Sequence, residues 1–139
     1  DPQDILKTKF VEVAANQNIV FLKDIKFSSF CEHHMLPIIG AVDFAYIPDR
    51  HIVGISKIAR LVEIFARRLQ VQERMTVQII DNFQKYVNPK GAAIRVSAMH
   101  SCMSLRGVRK EETLMTTTHY TGIFAENAQF RQEFLSLIK

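Results

Sequence analysis

Two helix-forming stretches lie back to back in the middle of this chain, with strand-forming stretches on both sides, and that order restricts the fold more than any other feature. From Ser56 onward Ile58, Leu61, Val62, Phe65 and Leu69 recur at helical spacing, and Met75, Ile79, Ile80, Phe83 and Val87 do so again over about Gln72 to Tyr86. Ser56 reads as the N-cap of the first helix, and Asn88-Pro89-Lys90-Gly91 ends the second with breaker residues. Upstream, Ile19 to Phe27 alternates as a strand should, and Ile39 to Ile47 forms a second strand stopped by Pro48 and Asp49. Downstream, Ala92 to Met103 and the Thr-rich Leu114 to Phe124 supply two more. Residues 3–15 predict a short helix after Pro2, and Ala128 to Ile138 an amphipathic helix at the end. Strand pairs flanking a helix pair predict an α+β domain, a four-stranded antiparallel sheet with two helices on one face. Such a sheet has two free edges, for which a ring or barrel of protomers is a natural solution.

At 139 residues, 47% hydrophobic and 23% charged, the chain suits one globular domain over 1–139. It has no repeats and no low-complexity tract. No apolar run approaches the length of a membrane span, and the absence of a secretory h-region at its start makes the cytoplasm the expected compartment. The chain begins at Asp1 rather than Met, as a chain trimmed at its N-terminus would. A net charge of +4 admits an anionic partner. Nucleic acid is a poor candidate, because the helix faces over 56–87 are committed to apolar residues and no basic stripe interleaved with aromatics occurs.

The chemistry concentrates in Cys31-Glu32-His33-His34 and in His100-Ser101-Cys102. A thiol and an imidazole three residues apart can close on one metal ion from a single turn. Cys31, His34 and Cys102 would suit zinc and leave one tetrahedral position for water. The same two cysteines, the only ones in the chain, could equally pair as a disulfide or lie buried as thiols. His33 and His100 stand beside them, which favours the metal. Elsewhere, Gly54-Ile55-Ser56-Lys57-Ile58-Ala59-Arg60 opens a helix with a hydroxyl and two cations, a pattern suited to phosphate or to an ordinary capped surface helix. Arg106 is a second candidate for anion contact, and Arg67-Arg68 reads as solvated helix surface. Glu73, in Gln70-Val71-Gln72-Glu73-Arg74, can accept from the N1–H and 2-amino donors of a guanine, or simply complement a helix dipole.

Together these segments resemble GTP cyclohydrolase I, from about Ile19 to Lys139. The markers stand in order: Cys-Glu-His-His (31–34), Gly-Ile-Ser-Lys-Ile-Ala-Arg (54–60), Arg-Arg-Leu-Gln-Val-Gln-Glu-Arg (67–74), His-Ser-Cys-Met-Ser-Leu-Arg-Gly-Val (100–108) and the Thr-rich strand before Gly122. The resemblance implies a zinc enzyme that converts GTP and water to formate and 7,8-dihydroneopterin triphosphate, the first step of tetrahydrofolate and pterin biosynthesis. Cys31, His34 and Cys102 would hold the Zn2+, and His100 and His33 would move protons. Glu73 and the backbone near Gln72 would hold the guanine edge, and Ser56, Lys57, Arg60 and Arg106 the triphosphate. It also implies the tunnelling fold, with five sheets closing a barrel, two rings stacked as a homodecamer, and active sites between subunits.

Two departures stand out. Family chains carry helices ahead of this region, one stretch supplying a further arginine to the phosphate site, whereas almost nothing here precedes the first strand. The expectation is a trimmed chain or an altered assembly and phosphate affinity. His119-Tyr120 replaces residues that are usually smaller or aliphatic, as a packing change or a modified pocket wall. Rival readings are another purine or pterin enzyme of this fold and a nucleotide-binding homologue without turnover. The related nitrile reductases would want a cysteine nucleophile without this zinc set.

Overall fold

The computed structural model describes residues 2–6, 10–11, 18–30, 37–68, 71–100 and 114–139. Its elements run α1 (Pro2–Leu6), β1 (Phe10–Val11), β2 (Val20–Phe30), β3 (Pro37–Ile47), β4 (His51–Ile52), α2 (Ile55–Ala66), α3 (Gln72–Val87), β5 (Gly91–His100), β6 (Leu114–Gly122), α4 (Ile123–Glu126) and α5 (Ala128–Ile138). The main sheet is antiparallel in the order β2-β3-β5-β6, and β1 pairs separately with β4. The expected helix over 3–15 is therefore cut to one turn, because Phe10 and Val11 pair with Ile52 and His51 instead.

Side chains alternate across the sheet with a period of two, so one face of β3 and β5 carries Val42, Phe44 and Tyr46 beside Val96, Ile94 and Ala92. Onto this face α2 sets Ile58, Leu61, Val62 and Phe65, and α3 sets Met75, Ile79, Ile80, Phe83 and Val87, all buried as their spacing requires. Phe83 meets Phe44 and Tyr46 edge-on, with centroids 4.8 and 5.0 Å away. Asn88 ends α3 in the left-handed conformation (φ 53°), and its N–H donates to the Gln84 carbonyl.

The helix start at Ser56 is corrected. The cap is Gly54, in extended conformation, whose carbonyl accepts from the N–H groups of Lys57 and Ile58; Ser56 lies inside the first turn. The strand over Leu114 to Phe124 ends at Gly122, where φ is +57° and a Cβ would come within 2.2 Å of the Lys90 carbonyl oxygen. The opposite face of the sheet is covered too, at one end. There Ala45, Ile47 and Ala93 join Phe124, Phe134 and Ile138 in a second cluster under α4 and α5. His119 and Tyr120 lie on opposite faces of β6, since they pair with Ile94 of the main core and Ala93 of the second cluster. The His119 Nε2 lies 3.4 Å from Asp81 Oδ1 on α3, and Tyr120 packs edge-on against Phe134.

Between Leu22 and Ile25 the β2–β3 register shifts by a bulge, in which Asp24 takes a left-handed φ of 67°. Its N–H donates to Asp43 Oδ1 at 2.9 Å, while Arg95 donates to Asp43 Oδ2 from Nε at 3.2 Å and Nη2 at 3.0 Å. One buried carboxylate thus ties three neighbouring strands together. Asp43→Ala strips the partner from a half-buried guanidinium and is expected to cost about 2 kcal/mol, a midpoint drop of about 6 °C in thermal unfolding. An unchanged midpoint would show that the bulge holds itself.

Candidate functional site

The residues expected to bind and react divide into three places. At one end of the sheet, Phe30 pairs with Pro37 and Ile38 pairs with His100, the last residue of β5. The stretch 31–36 joins Phe30 to Pro37, and the stretch 101–113 leaves from His100. Cys31, His33, His34, Cys102 and Arg106 belong to those stretches and lie outside the described residues. His100 is placed by its backbone alone. The strand register therefore starts the segments that carry Cys31 and Cys102 from adjoining strand ends. Among the described residues no group of three metal-binding side chains occurs.

The second place is the start of α2. The Tyr46 hydroxyl accepts from the Val53 N–H at 3.1 Å and lies 3.4 Å from the Val53 carbonyl, pinning this start beside the Tyr46 end of β3. Burial pushes the Tyr46 pKa up. Ser56 is exposed in the first turn and Lys57 half-buried, with Arg60 one turn later and exposed. Lys57 and Arg60 line a groove of about 440 Å3 with Asp4, Glu63 and Arg67. Arg60 and Arg67 also reach a second groove of about 470 Å3 shared with Lys26 and Ser28 of β2. Arg67 and Arg68 do lie at the surface, Arg67 paired with Glu63 and Arg68 stacked 4.5 Å over the Phe65 ring. The N-terminus of α2 and this set of cations make a surface suited to a polyanion.

The third place is the start of α3. Glu73 is exposed there, in a first turn whose dipole favours a carboxylate. Gln72 is 3% exposed and its carboxamide is spent on the sheet, donating to Val96 O, Met115 O and Thr117 Oγ1, each at 3.1 Å. Its side chain is an anchor, leaving its backbone as the part that can face a ligand. Reading the sequence missed this, along with Thr76 and Thr117, because one Gln at a helix start and one Thr in a Thr-rich strand carry no distinguishing pattern.

In one chain these places stand apart. Tyr46 pairs with Ala92, and the eight steps from Ala92 to His100 span about 26 Å of strand. The start of α2 and the end of β5 are thus at opposite ends of the sheet.

A four-stranded antiparallel sheet backed by a helix pair, with polar residues gathered at strand and helix ends, defines a tunnelling-fold protein. Solved structures agree: an archaeosine synthase QueF-Like protein in the apo form superposes with a TM-score of 0.63 at 19% identity, covering 77% of this chain and 96% of that one. A dihydroneopterin aldolase of E. coli, solved in complex with neopterin, superposes with a TM-score of 0.55 at 13% identity over 73% of this chain and 98% of its own. Within that fold the assignment is narrower. A family profile described as GTP cyclohydrolase I matches residues 1–139. GTP cyclohydrolase 1 of Rickettsia felis is 58% identical over 137 residues, 99% of this chain and 72% of the relative. That of Rickettsia prowazekii is 54% identical over 138 residues, 99% of this chain and 73% of the relative. The chain belongs to the GTP cyclohydrolase I family of enzymes.

If the start of α2 holds a polyphosphate, Arg60→Ala removes a charge-assisted hydrogen bond. Titration calorimetry with inorganic tripolyphosphate is expected to show affinity about tenfold weaker, with a shallower salt dependence. Equal affinity in the variant would remove Arg60 from the anion site.

Proposed function

We propose that residues 1–139 form one catalytic domain of a zinc-dependent GTP cyclohydrolase I, taking GTP and water to formate and 7,8-dihydroneopterin triphosphate at the entry to tetrahydrofolate and pterin biosynthesis. The observation that carries this is the register at the end of the sheet, where the strand ends leading into 31–36 and 101–113 adjoin. Two thiolates and an imidazole drawn from those segments, Cys31, Cys102 and His34, are a donor set that fits Zn2+. Bound there, the ion would supply a water with its pKa lowered to about 7.

The chain's own residues do the rest. Glu73 accepts from guanine N1–H and the 2-amino group, beside the backbone of Gln72. Ser56, Lys57, Arg60 and Arg106 hold the triphosphate. His100 donates a proton to N7 of the purine, which makes C8 more open to attack, and a histidine titrating near neutrality suits that transfer. His33 is the second proton carrier. The imidazole ring opens at C8, formate leaves, and the remaining skeleton recloses as the pterin.

The start of α2, which carries Ser56 and Lys57, is anchored at the level of Tyr46, about 26 Å along β5 from His100, and this favours an active site shared by two subunits. The surface is suited to such a partner. Ile39, Met99 and Leu114 are 66%, 37% and 58% exposed, and they stand in register across β3, β5 and β6 as one apolar stripe. β2 and β6 are the sheet's outer strands. Closing such sheets edge to edge gives a ring, and we infer the stacked pentamers of a homodecamer. Among the described residues no helix is long and apolar enough to cross a membrane, and we place the enzyme in the cytoplasm.

Incubation of the assembled, zinc-loaded protein with GTP, followed by oxidation, is expected to yield fluorescent neopterin phosphate that vanishes on chelation and returns with zinc. Intact oligomers that hold zinc and GTP yet form no product would overturn the reading. His100→Ala is expected to keep zinc and GTP while losing turnover by at least about a hundredfold, and Cys102→Ala to lose metal and activity together. Loss of zinc from the His100 variant would reassign that histidine as a ligand.

A further inference from the structure

Glu73 is the residue on which the guanine reading turns, and the residue before it is held in an unusual way. Two amide protons of Gln72 face three acceptors on two strands, Val96 O on β5 with Met115 O and Thr117 Oγ1 on β6. One turn along α3, Thr76 Oγ1 donates to the Gln72 carbonyl at 2.9 Å and lies 2.7 Å from Thr117 Oγ1. A hydroxyl has one proton to give. Thr76 places its proton on the Gln72 carbonyl, so Thr117 supplies the proton between the two threonines, and its lone pair is left to accept from Gln72. The bonds close a ring, from the Gln72 amide to Thr117, from Thr117 to Thr76, and from Thr76 back to the Gln72 carbonyl.

Helices are commonly started by a side chain that accepts from their own first N–H groups. The residue in that place here is Val71, which has no such group. The ring locks the first turn of α3 and ties it to β5 and β6 instead of to itself. Gln72 and Thr76 are 3% and 1% exposed, so the bonds from Gln72 to Val96 O and from Thr76 to the Gln72 carbonyl are shielded from water, while Thr117 is half-buried.

We propose that Gln72, Thr76 and Thr117 are positioning residues for purine recognition: their ring sets the height and rotation of the first turn of α3, and so the point at which Glu73 presents its carboxylate. This rests on the role given to Glu73 above. Two hydrogen bonds to adjacent donors of a flat ring need both oxygens in one plane, and a misplacement of about 1 Å at such a site can cost about a hundredfold. No group of the ring other than the Gln72 backbone touches the substrate in this scheme.

The test uses the assembled, zinc-loaded enzyme. Gln72→Met keeps the length and the backbone and removes both donors; Thr117→Val keeps the shape and opens the ring more gently; Thr117→Ser keeps the hydroxyl. The readings are kcat and KM for GTP, and the dissociation constants of GTP and of inosine triphosphate, which lacks the 2-amino group. Gln72→Met is expected to raise KM for GTP about tenfold and Thr117→Val about threefold, with kcat within about twofold. The preference for GTP over inosine triphosphate should shrink in step, and Thr117→Ser should behave as the parent. Variants that lose thermal stability while KM and the preference stay unchanged would overturn the proposal, leaving the ring a support of the fold alone. Glu73→Ala separates the two layers of the argument. A preference that survives in Glu73→Ala removes the role of Glu73, and the proposal with it. A preference that collapses in Glu73→Ala and is intact in Gln72→Met and Thr117→Val overturns only the positioning role.

Discussion

The antiparallel pairing of β3 with β5 runs unbroken from Ile38↔His100 to Ile47↔Gly91, and most of what the protein can do depends on that register. Because side chains alternate faces, a slip of one residue would turn Val42, Phe44, Tyr46, Val96 and Ile94 away from the helices and expel the main core. The burial of that core therefore determines, at the same time, which backbone positions meet at the strand ends. His100 comes to lie beside Ile38, one residue from the end of the segment that carries Cys31 and His34. The strand ends from which two stretches some seventy positions apart in sequence depart are thus brought together by hydrophobic packing elsewhere in the sheet.

The helical layer is anchored differently at its two ends. At the start of α2 the anchor is the Tyr46 hydroxyl on the Val53 backbone, and at the start of α3 it is the Gln72 carboxamide on Val96, Met115 and Thr117. In both cases a buried polar side chain fixes the helix start to the sheet. The helices are thereby referenced to the strands, and the residues that follow each anchor, Ser56 and Lys57 in one case and Glu73 in the other, are the ones expected to meet a nucleotide.

Much of this was legible beforehand. The two long helices followed from one-sided periodicity, and every residue of the stripes that the structure describes is buried. The antiparallel sheet followed from the β-β-α-α-β-β sequence of elements, whereas the order β2-β3-β5-β6 is given by the structure. The Ser56 cap was misjudged because a hydroxyl at a plausible position looked stronger than the extended Gly54 two residues earlier. The first helix was overextended because Phe10 and Val11 fit a helical stripe as well as the short ladder with β4, and only tertiary pairing chooses between them. The second cluster under α4 and α5 did leave a trace: Phe44-Ala45-Tyr46-Ile47 and Ala92-Ala93-Ile94 are continuous apolar runs, as strands buried on both faces should be. Of the expected site residues, Glu73 and Arg60 are exposed and Lys57 half-buried near the starts of the helices that the periodicity predicted. The hydrogen-bonded ring around Gln72 was not readable, since it joins residues 72, 76, 96, 115 and 117 that become neighbours only in the fold. The proposed metal ligands Cys31, His34 and Cys102 lie outside the described residues.

That second cluster covers only part of its face. Near Ala93 the sheet is the middle of three layers, while near Met99 it is backed by helices on one side alone. Backbone amides of β5 around Ala92 to Ile94 should therefore exchange with solvent deuterium most slowly, and those toward His100 progressively faster, so that the free energy of local opening falls along a single strand. Stiffness is concentrated at the Ala92 end of the strand, and compliance is left at the end from which the segments carrying Cys31 and Cys102 depart.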